Sequence, residues 1–317
     1  IDQVEIDWMF NFGKVTAQVD LQYENGANGD DDETEVEQAF VNYDLGNSLT
    51  ITTGRYESTL GLEAKEPTGL YQYSTAYAAF GEDLNTLPQY AQGVKLTKEV
   101  DGNVYSLSIQ DEAYDYDADR LGGDGDSGYG IEASASIALS DATTFFIGGA
   151  YGETDDDGDG YSINAHVTHV SGPWTVGAEV IYTETNDFGI KDIVADAGDE
   201  LAALEALAGG TVTALDSFDQ EVLQALIMAN YAYSDCCSVT GRISYVNAEV
   251  SAAGTVDSVA SSISVDAVEF LKYTLAHNYA VTDNLAVITE ISYVDAETFE
   301  AIDSDELVGA VEVLFTF

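Results

Sequence analysis

Hydrophobic and polar positions alternate with a period of two along most of the chain. Val4, Ile6, Trp8, Phe10 and Phe12 fall on one face of a first extended segment, because successive side chains of a strand point to opposite sides. After a turn at Gly13-Lys14, Val15, Ala17, Val19, Leu21 and Tyr23 alternate with Thr16, Gln18, Asp20 and Gln22. Further along, Trp174, Val176, Ala178, Val180 and Tyr182 oppose Thr175, Gly177, Glu179 and Ile181. Leu285, Val287, Thr289, Ile291 and Tyr293 oppose Ala286, Ile288, Glu290 and Ser292. At the end, Leu307, Gly309, Val311, Val313, Phe315 and Phe317 share a nearly unbroken apolar face, with Val308, Ala310, Glu312, Leu314 and Thr316 on the other. A face of apolar residues outward and polar residues inward, over about ten residues, is what a membrane-spanning barrel strand needs. A soluble sandwich shows the same alternation, so the pattern predicts strands before it predicts a membrane.

The connections separate the two. Segments 35–45 and 49–57 are joined by Gly46-Asn47-Ser48, and short turns recur at Asp101-Gly102-Asn103, Ser140-Asp141-Ala142, Ser171-Gly172-Pro173, Ser234-Asp235-Cys236 and Thr282-Asp283-Asn284. Asp, Asn and Gly supply turn geometry through local hydrogen bonds and positive φ. Between them lie longer polar stretches at 24–34, 58–89, 113–128, 153–160, 185–220, 249–265 and 297–304. Short and long connections thus alternate, as in an outer-membrane barrel with short periplasmic turns and long extracellular loops. The expected fold is all-β: one domain over 1–317, an antiparallel transmembrane β-barrel. Fourteen strands follow from Lys14 onward, with Ile1–Phe12 as an additional segment; antiparallel closure demands an even number, and sixteen is expected. Two connections stand out. Residues 58–89 carry Pro67, Pro88 and the run Leu70-Tyr71-Gln72-Tyr73, and 192–208 space Ile193, Ala197, Leu201, Leu204 and Ala208 as a helix would. Loops this long usually have a role.

Composition fits and charge sharpens the picture. The chain has 317 residues with 29 Gly, 20 Tyr and only 3 Pro, and no run of 18 uncharged apolar residues. Tyrosines near strand ends, among them Tyr23, Tyr43, Tyr105, Tyr182, Tyr233 and Tyr293, suit interfacial girdles. No signal peptide precedes the first strand, so export implies that Ile1 is a processed or trimmed start. The formal net charge of −49 argues against nucleic acid and bare anionic lipid as partners; solvation in a salty habitat accounts for most of the carboxylates. Cys236 and Cys237 are adjacent and form no long-range disulfide framework.

The closing strand, ending on Phe317, resembles that of bacterial outer-membrane barrels. The segment Gly54-Arg55-Tyr56 through Glu66-Pro67-Thr68-Gly69-Leu70-Tyr71-Gln72-Tyr73-Ser74 is similar to the matching stretch of Gram-negative porins, closest to the OmpL-like porin-2 group. The resemblance implies an outer-membrane location and assembly by the barrel-assembly machinery. It further implies lipid and lipopolysaccharide around the wall, a homotrimer, and a loop folded inward over 58–89 to constrict the channel. It also places Arg55 at the pore, although Arg55 shares its alternation with Leu49 and Ile51, and the heavy acidity departs from the pattern.

By alternation, Asp20, Glu132, Glu179, Glu290 and Glu312 face inward, with Lys95, Arg242 and Lys272 as basic partners. Opposed charges would either set a transverse field or pair along the inner wall and stiffen it. In the long loop, Glu63, Glu66, Glu82 and Asp83 are the candidates for the narrowest point, with Lys65 as an offset. Asp155-Asp156-Asp157-Gly158-Asp159-Gly160 opens like a calcium loop, but the twelfth position is His166 rather than a glutamate, which excludes an EF-hand. A looser Ca2+ site at Asp155, Asp157 and Asp159, or at Asp30, Asp31 and Asp32, stays open; no other cofactor is expected. His166 and His169 lie on opposite strand faces, and no nucleophile-base pair, phosphate loop or zinc spacing occurs. The expected function is passive, cation-preferring diffusion of small hydrophilic solutes. The alternative is a plugged structural or adhesive barrel with an acidic, calcium-binding exterior, and a barrel enzyme is disfavoured.

Overall fold

The computed structural model describes residues 3–24, 33–111, 129–153, 158–186, 211–257, 259–299 and 302–317. The helix expected at 192–208 lies outside them, as do Asp155, Asp157 and Asp30 to Asp32. The first strands are β1 (Gln3–Asn11), β2 (Val15–Glu24), β3 (Glu33–Gly46) and β4 (Leu49–Glu57), and β5 (Ala78–Ala79) with β6 (Glu82–Asp83) makes a separate small hairpin. Next come β7 (Tyr90–Val100), β8 (Asn103–Gln110), β9 (Gly130–Ser140), β10 (Thr143–Glu153), β11 (Asp159–Ser171) and β12 (Trp174–Asn186). The last five are β13 (Val212–Ser234), β14 (Cys237–Val256), β15 (Val259–Thr282), β16 (Leu285–Thr298) and β17 (Ile302–Phe315). Without β5 and β6, the hydrogen-bonded order is the chain order, a 15-stranded sheet. Among the described residues no helix is long and apolar enough to cross a membrane.

The local chemistry of the turns fixes this meander. Between β7 and β8 the connection is Asp101-Gly102, both with positive φ (51° and 79°), and Val100 pairs with Asn103. Such a two-residue connection follows the right-handed twist of the strands it joins. Within β4, Gly54 has φ 122°, and a Cβ there would sit 2.2 Å from the Ala39 carbonyl oxygen. Only glycine lets β3 and β4 close at that point.

Two compact units are distinguished. The first takes residues 1–60, 88–137 and 148–153. There Asp20, Gln22, Ser108, Gln110 and Glu132 are buried, whereas Leu107 and Ile109 are exposed. The second takes residues 61–87, 138–147 and 154–317. On β16, Ile288, Glu290, Ser292 and Val294 are buried and Ile291 and Tyr293 exposed; on β17, Val311 is 71% exposed, and Phe317, just past the strand, is 90% exposed. In both units the polar side of the sheet is covered and the apolar side bare. That inverts the arrangement of a water-soluble protein, where contiguous apolar surface is scarce, and it is what lipid-facing strands require.

Two of the expected loops are shorter than the sequence pattern implies. Residues 212–220 belong to β13, and 249–256 and 259–265 belong to β14 and β15. The register of β13 on β14 shifts between Val212 and Ala214 and again between Leu215 and Ser217. Each shift inserts an unpaired residue, which breaks the period of two. The Ser- and Ala-rich facing segments have too little polarity contrast to restore it.

Candidate functional site

Within each unit, residues of the long connection between β4 and β7 dock on the covered face. In the first unit the Ser58 N–H donates to the Gln89 carbonyl at 2.8 Å, closing the base of the segment. Glu132, buried on β9, accepts from Ser58 Oγ (2.5 Å), Thr59 N (2.9 Å) and Thr59 Oγ1 (2.7 Å). Gly148 leaves room for Leu60, whose Cδ2 would lie 2.6 Å from a Cβ there. Lys95 Nζ sits 4.3 Å over the Tyr56 ring and donates to the Glu57 carbonyl.

Within the second unit, residues 61–87 are fastened by one strand after another. Asn164 of β11 accepts the Gly61 N–H, and Glu179 of β12 accepts Leu62 N at 2.7 Å and Tyr77 OH at 3.2 Å. Gln224 of β13 clasps the far end, donating to the Leu84 carbonyl and accepting from Thr86. On β14, Thr240 donates to the Tyr71 carbonyl, while Arg242 donates to Glu63 at 2.5 Å and to the Thr75 carbonyl at 2.9 Å. Lys272 of β15 donates to the carbonyls of Thr75 and Ala78. Glu290 of β16 accepts Tyr73 N, Ser74 N and Ser74 Oγ, and Glu306 of β17 accepts Phe80 N at 2.9 Å. Every strand from β11 to β17 contributes. Carboxylates take backbone N–H groups and cations take carbonyls, so a segment with almost no regular structure has many of its main-chain groups paired.

The underside of the segment is apolar where the wall is. Ala76, Tyr77 and Leu87 are buried in the segment, and Ile181, Val222, Leu226, Val246 and Phe270 are buried on the covered face. Gly177 on β12 leaves space for Leu62, whose Cδ2 would lie 2.9 Å from a Cβ. Burial, with the Glu179 and Glu63 carboxylates beside it, pushes the Tyr77 phenol well above the usual tyrosine range. The other side of the segment is open: Tyr71, Tyr73, Phe80, Glu82 and Asp83 are exposed.

The structure thus brings Glu63, Glu179, Arg242, Lys272 and Glu290 onto one segment of the second unit; within the first unit, Glu132 holds Ser58 and Thr59. Arg242 and Lys272 address the segment rather than pairing along the wall with carboxylates of other strands. Glu66 precedes a short 3-10 turn, Pro67–Gly69, and Lys65 is half-buried beside it. Glu82 and Asp83 form β6. Arg55 lies on the alternation opposite buried Thr52 and Tyr56; its Nε donates to the Glu37 carbonyl and its guanidinium lies 5.8 Å from the Tyr90 ring. The strand places it off the covered face, as its spacing from Leu49 and Ile51 implies. Asp159 accepts from Asn186 on the neighbouring strand. In the first unit, Glu5, Asp7 and Asp20 hold one oxygen each within 4.8 Å of the others and are candidates for a cation. Sequence reasoning passed over Asn164, Gln224, Thr240 and Glu306. A signal existed for Gln224, an amide between Val222 and Leu226 on the same face: apolar residues on a face meant for water imply that something packs there.

The family model of the β-barrel porin-2, OmpL-like group matches residues 2–317. The chain belongs to this family. It is therefore an outer-membrane porin-type chain and not an enzyme. Solved structures agree on the fold. The outer membrane channel DcaP of Acinetobacter baumannii superposes with a TM-score of 0.62 at 11% identity, covering 99% of this porin and 84% of that chain. In-vitro folded OmpT of Vibrio cholerae, in its trimer form, gives 0.58 at 12% identity, covering 99% and 90%. An anion-selective porin from Comamonas acidovorans gives 0.54 at 12% identity, covering 98% and 89%. No curated protein matches this porin by sequence.

Proposed function

We propose that this porin is a passive diffusion channel for small hydrophilic solutes, with residues 58–89 forming its constriction and cations its preferred ions. The observation that carries the reading is the fastening of residues 61–87 by seven consecutive strands, with the opposite side of the segment left open. A lumen lined this way sieves by size at a fixed obstacle. Closure of the single sheet over 1–317 follows from the reading, because open edges are not tolerated in lipid. In a fifteen-strand alternating order β1 and β17 run the same way, so antiparallel closure calls for one further strand position, giving sixteen. Short turns then lie on the periplasmic rim, and a homotrimer in a lipopolysaccharide-bearing membrane, built by the barrel-assembly machinery, is in keeping with the trimeric OmpT neighbour.

Selectivity has to come from this chain's own residues, since one neighbour of the same fold is described as anion-selective. The net charge of −49 and the exposed Glu82 and Asp83 favour cations. The dense anchoring of the segment and the buried apolar wall beneath it also favour a second reading, a plugged barrel acting through its acidic exterior. Single-channel recording in a planar bilayer decides: stepwise conductance in KCl is expected, and its absence in correctly folded protein would leave the plug.

A further inference from the structure

The small hairpin of the folded segment presents a ring where a turn would be easier without one. Ala79 pairs with Glu82 and Ala78 with Asp83, leaving Phe80-Gly81 as a two-residue connection with φ values of 55° and 88°. Connections with positive φ at both central residues are the province of Asn-Gly and Asp-Gly, and a bulky side chain there is an outlier. The Phe80 ring is 44% exposed rather than packed away. The hairpin is held from several sides: the Phe80 N–H by the Glu306 carboxylate, the Ala78 carbonyl by Lys272, and the Asp83 carboxylate by the Thr75 hydroxyl at 3.2 Å. Strain that the surroundings hold in place is a pointer to function.

We propose that this tip is a binding site for organic cations with an apolar or aromatic body, formed by Phe80 with the carboxylates of Glu82 and Asp83. The inference rests on the channel reading above, which puts the open side of the segment in the solute path. An aromatic face attracts a cation most when the cation is weakly hydrated, so potassium gains little from the ring. A neutral hydrophile gains from neither the ring nor the acids. A quaternary ammonium carrying a phenyl group gains from both, and its passage slows or blocks the channel.

The probe is benzyltrimethylammonium, added to the full chain in planar bilayers in dilute KCl. Concentration-dependent block is expected, with benzyl alcohol weaker by about tenfold, the loss that removal of one cation–aromatic contact would bring, and tetramethylammonium weaker by about tenfold because it lacks the ring that packs on Phe80. Phe80→Asn keeps a residue suited to positive φ, so the hairpin survives; block, measured against the variant's own KCl conductance, should weaken by about tenfold. The double substitution Glu82→Gln with Asp83→Asn should weaken it as well. Calorimetric titration of the same compound into detergent-solubilised protein reads binding without conduction. Protein that binds it through Phe80 yet conducts nothing overturns the channel reading alone. Protein that conducts but is blocked equally with and without Phe80, or equally by tetramethylammonium, overturns the proposal. Protein that neither conducts nor binds overturns both.

Discussion

Arg242 meets Glu63 at 2.5 Å with its own side chain fully buried and that of Glu63 13% exposed. Removing one member of such a pair costs about 3–5 kcal/mol, because the other charge is left desolvated. Arg242→Met should therefore lower the urea midpoint of the folded porin in detergent and expose the 61–87 segment to protease, whereas Lys95→Met should leave that segment resistant. Tyr77 adds a pH dependence. Its phenol is buried and raised, so its contribution to the docked segment is complete below the ordinary tyrosine pKa of about 10 and declines as pH rises beyond it. Open-channel noise should rise between about pH 10 and 11 in wild type, and rise less in Tyr77→Phe. At this scale the sequence is half legible. Alternation sorts Glu132, Glu179, Glu290, Arg242 and Lys272 to one face. It says nothing of their partners, because beside Glu63 and a few hydroxyls those partners are backbone groups, among them those of Thr59, Leu62, Tyr73 and Thr75, distant in sequence and silent in any pattern of side chains.

Among the elements, β13, β14 and β15 are the exceptions at 23, 20 and 24 residues. A spanning strand needs only about 9–11 residues, so their distal ends extend beyond what a bilayer requires. β12 pairs with β13 as far as Gln220, and β16 with β15 as far as Val268. A small cluster of Ala252 with Leu215, Phe218 and Ile263 holds it together. Phe218→Ala should open that cluster at a cost of about 3–5 kcal/mol at most; hydrogen exchange at 212–219 and 251–266 should accelerate while the middles of the same strands stay protected. Equal acceleration along the whole of β14 would show that the extension and the spanning part are one cooperative unit. The strand order was readable because tight Asp- and Gly-bearing turns announce each reversal. These extensions were not, because their bulges and small residues erase the alternation on which the reading depends.

For the whole molecule the question is what a net charge of −49 does to permeation. Low-dielectric walls focus such a potential and raise the local cation concentration at the mouth. Charges in exposed loops are screened over about 8 Å at physiological salt and about 3 Å in molar salt, so their share of the selectivity should fade as KCl is raised. Charges at the constriction should resist screening best, and here the geometry separates the four acids of the long segment. Glu63 is matched by Arg242 and also accepts from Gln72 and Ala76, which makes it a tether more than a source of field. Glu82 and Asp83 are exposed on the tip and carry the expectation. Reversal potentials across a KCl gradient should therefore report cation preference that is strong in dilute salt and weaker in concentrated salt. The double substitution Glu82→Gln with Asp83→Asn should reduce the part that survives concentrated salt. Glu63→Gln should instead raise open-channel noise and leave the ion preference nearly unchanged. A channel that prefers anions, or one indifferent to the loss of Glu82 and Asp83, would assign the surface charge to solvation alone.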